Sequence, residues 1–132
     1  MKYLLILNIN PDVLAALNAE EQQAIGDGHQ KFMAAIKASG EFHSTVALQE
    51  PAKSAVVKVR DGLPAVTDGP FVESKEFLGG YYLIDVASRE RACELAAMIP
   101  DAGIEGLGVE IRGCCACACH VRHRLEFHRH GF

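Results

Sequence analysis

The sequence predicts an α+β fold, a mainly antiparallel sheet with two helices packed on one face. Three observations predict it. Hydrophobic periodicity switches between two and 3.6 residues, giving the order strand, helix, strand, two hairpin strands, strand, helix, strand. The pair Asp61-Gly62 stands between two alternating runs, a strong tight-turn signal. Residues 3–7 and 78–86 are apolar at both odd and even positions, so each reads as a strand covered on both faces.

The elements follow in order. Residues 3–7, Tyr-Leu-Leu-Ile-Leu, form the first strand. After Pro11 the period changes, and Ile25, Phe32, Met33 and Ile36 fall on one helical stripe that Gly40 stops. Gly26 and Gly28 each weaken this helix by roughly 1 kcal/mol against alanine, which allows a break or a second short helix near Gly26. Residues 42–48 alternate as a strand. Ala55, Val57 and Val59 alternate with polar neighbours, and residues 63–66 return from the turn. Tyr82, Ile84 and Val86 share one face of the long strand 78–86, with Tyr81 and Leu83 on the other. Ser88 is the expected N-cap of a helix whose stripe is Ala92, Leu95, Ala96 and Ile99, ended by Pro100. Residues 107–111 form the last strand. This order suggests a ferredoxin-like arrangement. Two helices cover one sheet face only, so a second copy of the chain is the expected cover for the other.

The chain has 132 residues, the size of one domain, with 49% hydrophobic and 23% charged residues. The apolar run at residues 3–7 is far short of the ~20 residues a spanning helix needs, and too short for a signal-peptide core. The expected location is the cytoplasm, with no membrane partner. The net charge of −4 implies no general attraction to nucleic acid, and no nucleic-acid motif occurs. Phosphate-cradling glycine loops and nucleophile elbows are also lacking.

Composition divides the chain at residue 112. The body, 1–112, carries ten basic and sixteen acidic residues and one cysteine, Cys93. Residues 113–132 hold Cys114, Cys115, Cys117, Cys119 and four histidines with three arginines. This tail is expected to lie outside the fold. Its Arg, His, Cys and Ala codons interconvert by one-base shifts in GC-rich DNA, which fits a frame-shifted or non-native end. Clustered thiols and imidazoles also suit a soft metal, although C-C-x-C-x-C is not a common structural zinc spacing. An inert tail is the third reading. No metal or cofactor is assigned to the body.

The run Thr67-Asp68-Gly69-Pro70-Phe71, followed by Glu73-Ser74-Lys75-Glu76 and Leu78-Gly79-Gly80-Tyr81-Tyr82, resembles the YCII-related family in its DGPF subgroup. Met1-Lys2-Tyr3, His29-Gln30-Lys31-Phe32-Met33, Ala38-Ser39-Gly40 and Val109-Glu110-Ile111-Arg112 agree with it. The resemblance covers residues 1–112 and departs at Gly113. It implies a ferredoxin-like dimeric α/β barrel with a cleft between sheet and helices. It also implies small-molecule chemistry by a histidine and an aspartate, and some relatives occur beside extracytoplasmic-function sigma factors.

His29 lies on or beside the apolar helix stripe. Its spacing alone favours a core-edge histidine, and the resemblance adds the role of general base. Asp68 reads either as its acid–base partner or as a turn aspartate bonded to its own backbone. Phe71, Lys75 and Tyr81 are the expected substrate-binding residues, although Glu73, Lys75 and Glu76 also read as a solvated charge run. His43 reads as structural, and Cys93 as a buried thiol. The leading expectation is a cofactor-independent enzyme that moves a proton on a small molecule, through a lyase or isomerase type of reaction. The alternative is a non-catalytic ligand-binding or regulatory module of the same fold, associated with sigma-factor regulation.

Overall fold

In the computed structural model, which describes residues 1–115, strands β1 (Lys2–Ile9), β2 (Phe42–Ala47), β5 (Phe77–Asp85) and β6 (Gly108–Gly113) form one antiparallel sheet in the order β2-β5-β1-β6. Strands β3 (Ala55–Arg60) and β4 (Leu63–Asp68) form a separate two-stranded sheet around the Asp61-Gly62 turn. Helices α1 (Pro11–Ala15), α2 (Ala19–Ser39) and α3 (Arg89–Ala97) complete it, with 3-10 turns at Pro51–Lys53 and Pro100–Gly103. The element order and central pairing are consistent with a ferredoxin-like fold, with the β3–β4 hairpin inserted between β2 and β5. No helix among the described residues is long and apolar enough to cross a membrane.

Register assigns the faces. Leu5 lies opposite Tyr82 and Ile111, and Tyr3 opposite Ile84. These residues share the inner face with Val109 and pack against Phe32 and Ile36 of α2 and Ala92, Leu95 and Ala96 of α3. Leu4 and Leu83, and Ile6 and Tyr81, are opposed on the outer face.

Three expectations change. α2 runs unbroken through Gly26 and Gly28. A capping box sustains its start: Asn18 accepts from the Glu21 N–H at 2.8 Å, and Glu21 accepts from the Asn18 N–H at 3.1 Å. Gly40 ends it at φ +80°, a left-handed conformation that glycine adopts freely. A third helix is present, because Asn10 caps a turn that Pro11 starts and sequence periodicity is too short to show it. Cys93 is exposed, not buried. It follows Ala92 by one residue, about 100° around the helix from the stripe that faces the core. The tail residues beyond Cys115, with their metal and frame-shift readings, lie outside the described residues.

Candidate functional site

The site is built where α2, β5 and the 3-10 turn after α3 meet. His29 sits on α2, three residues before the buried Phe32, with its side chain 21% exposed. Tyr82 is held in the middle of β5 by pairing with Leu5 on one side and Thr45 on the other. Asp101 is supplied by the 3-10 turn and is 3% exposed. His29 Nε2 lies 2.8 Å from Asp101 Oδ1, and His29 Nδ1 lies 2.7 Å from Tyr82 Oη. The two rings stack at 5.9 Å with planes 16° apart, and Phe32 meets the Tyr82 ring edge-on at 4.9 Å.

Hydrogen-bond logic sets the proton positions. A carboxylate accepts, so Nε2–H donates to Asp101. Nδ1 of the neutral ring then accepts from the Tyr82 hydroxyl. Burial, and next the charge of Asp101, push the Tyr82 hydroxyl above its ordinary pKa, so it stays protonated and keeps donating. A buried carboxylate without a partner is costly, and His29 is the partner that Asp101 has.

Gly28 explains how the turn comes so close. A β-carbon there would lie 2.4 Å from Pro100 Cγ, inside any tolerable contact. The bare backbone lets Pro100 seat on α2, and Asp101 then follows directly under His29. Two half-buried neighbours, Ile25 and Ile104, join Leu17, Glu21, Ala24 and Pro100 around a cleft of about 250 Å³ beside this junction.

The other residues expected at the site lie elsewhere. Asp68 ends β4, exposed and paired with Ala55, and among the described residues no hydrogen bond or ion pair joins it to His29. The carboxylate at His29 is Asp101 instead. The physical reason is that the β3–β4 hairpin pairs with itself, apart from the main sheet, while the turn after α3 folds back on Gly28. Phe71 is 77% exposed, with Lys58 Nζ 5.7 Å from its ring centre. Lys75 is exposed in the segment before β5. Tyr81 pairs with Ile6 and Val46 and takes the outer face, away from Tyr82. Tyr82 was legible from strand alternation as a residue on the Ile84 and Val86 face. Asp101 left no signal beyond a proline before it. Among the described residues, no group of three or more His, Cys, Asp or Glu side chains is arranged to hold a metal ion.

Fold and site together define an α+β sheet protein with a part-buried carboxylate–imidazole–phenol chain between sheet and helix. The protein belongs to the YCII-related domain family, whose model matches residues 1–112. It is also 28% identical over 112 residues to an uncharacterized protein of Rhizobium meliloti (strain 1021), an alignment covering 85% of this chain and 90% of that relative.

Proposed function

We propose that this chain is a cofactor-independent enzyme that transfers a proton on a small molecule, with His29 as the base and Asp101 as the carboxylate that orients it. One observation carries the reading: both nitrogens of His29 are engaged, one by a buried carboxylate and the other by a phenol. Asp101 fixes the tautomer and stabilises the imidazolium that forms when His29 takes a proton, the role an aspartate plays behind a catalytic histidine. With Nδ1 facing Tyr82, the proton travels through the hydroxyl. Tyr82 gives its proton to Nδ1 as its oxygen takes one from the substrate, and the reverse step returns it. Tyr82 is left unchanged, and no electron acceptor is required. This reading moves the carboxylate role from Asp68 to Asp101.

The test is proton exchange. The purified protein is incubated in D2O with a panel of small carbonyl compounds and phenols, and loss of C–H signals is followed by NMR. His29→Ala and Asp101→Asn should slow the exchange by roughly 10²–10⁴-fold, the range of positioned acid–base groups, while remaining folded by circular dichroism. Wild-type rates in both variants would overturn the assignment. A second reading rests on the burial of Tyr82 and Asp101, 4% and 3% exposed. In it, the same chain of bonds braces a ligand-binding module without turnover, and the panel would show binding with no exchange.

The same reading takes the chain as a homodimer. Leu4, Ile6, Val46, Tyr81 and Leu83 occupy the outer sheet face, which no helix covers among the described residues.

A further inference from the structure

We infer that the cleft between α2 and the Pro100 turn binds a single-ring, neutral or cationic organic ligand, and that it discriminates against anionic ones. Its walls are the aliphatic side chains of Leu17, Ala24, Ile25 and Ile104 with the ring of Pro100, and Glu21 is its one ionisable lining residue. Its volume is about 250 Å³. An apolar protein cavity of about 150 Å³ holds benzene, so this cleft has room for one ring bearing a short substituent. Glu21 uses Oε1 in the α2 capping box. Its second oxygen remains to accept from a hydroxyl or ammonium group, while its charge repels a carboxylate.

The placement gives the cleft its meaning. Ile25 precedes His29 by one helical turn, so both project from one side of α2. Pro100 immediately precedes Asp101. The two segments that wall the cleft are therefore the two that build the His29–Asp101 pair, and a ligand seated there lies beside that pair. That the ligand is a substrate rests on the acid–base reading above; the binding and its charge selection do not.

The test titrates the full chain with benzyl alcohol, benzylamine and benzoate, following backbone amide shifts by NMR. Benzyl alcohol and benzylamine should give saturable shifts centred on Leu17, Ala24, Ile25 and Ile104. Benzoate should bind roughly tenfold more weakly, the scale of one like-charge contact at a partly exposed carboxylate. Ala24→Phe, on an exposed position of α2, should fill the cleft and abolish the benzyl alcohol shifts. Glu21→Gln keeps the capping box and should remove the discrimination against benzoate. The proposal is overturned by absent saturation with both benzyl probes, by shifts centred elsewhere, by unchanged binding in Ala24→Phe, or by discrimination that survives Glu21→Gln. Titrating His29→Ala separates the two readings. Retained probe binding with wild-type proton exchange defeats the acid–base reading and leaves the cleft standing. Lost exchange in that variant, with no probe binding in the wild type, defeats the cleft alone.

Discussion

Gly28 and Gly26 are two residues apart on one helix, and alanine at each should have opposite effects. Around Gly26 nothing lies within 4 Å of an added β-carbon. Gly26→Ala therefore gains helix propensity without collision and should stabilise the fold by roughly 0.4–1 kcal/mol. Gly28→Ala gains the same propensity but drives a methyl into Pro100, an overpacking cost of about 1–3 kcal/mol. The turn must retreat, and Asp101 retreats with it. Chemical denaturation should show the two shifts of opposite sign, and the His29 ring resonances should move only in Gly28→Ala. Equal midpoints, or an unmoved His29, would show that the turn is not held by this contact. The same residues show what the sequence made legible. His29 and Tyr82 sit in periodic elements, so spacing gave the stripe of one and the face of the other, but not that the two meet, and Tyr81 on the opposite face was the expected site residue. Asp101 lies in a four-residue turn with no period, and its partner is 72 positions away. Asp68 drew the acid–base role because its turn carries the recognisable motif, yet motif strength says nothing about which segment folds back on α2.

At the scale of elements, α3 is tied to the α2–β2 connection. Arg91, in the first turn of α3, holds Glu41 through Nε at 2.9 Å and a terminal nitrogen at 2.8 Å, a bidentate pair. Glu41 follows the Gly40 cap and accepts also from Ser39 Oγ at 2.8 Å. The Arg91 guanidinium, helped by the Ser39 hydroxyl, holds the Glu41 carboxyl below its ordinary pKa. A lowered folded value means that the ionised form stabilises the fold. That contribution is complete above the ordinary glutamate value of about 4.3 and is lost as pH falls through the lowered one. Glu41→Gln should therefore lower the thermal midpoint by a few degrees at pH 7, and the gap from wild type should close as pH drops from 5 to 2. A gap independent of pH would show that the pair contributes through packing alone. Most of these elements were readable from periodicity, including the Ser88 cap, whose hydroxyl accepts from the Arg91 N–H at 3.1 Å. That β3 and β4 pair only with each other among the described residues was not readable. Alternation identifies a strand but carries no information about which sheet it joins.

At the scale of the whole molecule, two apolar surfaces of the described residues lie outside the main core cluster. One is the outer sheet face. Ile6 is buried there outside the main core cluster, at 4% exposed, and Val46 stays 40% exposed. The other is one face of the β3–β4 ribbon, where Val57 pairs with Val66 and Val59 with Pro64, and the three valines are 60–67% exposed. A two-stranded ribbon is marginal in water by itself, and uncovered patches of this kind mark association surfaces. A second copy related by a twofold axis meets each such surface with its own equivalent, which suits a self-complementary apolar face. The register selects the residue that tests it. Ile84 is fully buried in the protomer core, so a charge there would simply unfold the chain. Leu83 is half-buried on the outer face between Leu4 and Ser44. Leu83→Asp should convert a dimer into a folded monomer, because a carboxylate at an apolar interface loses hydration with no partner to replace it. Multi-angle light scattering gives the mass, and circular dichroism confirms the fold. A wild-type chain that is monomeric at micromolar concentration would overturn the dimer, and a Leu83→Asp variant that stays dimeric would move the interface off the outer sheet face.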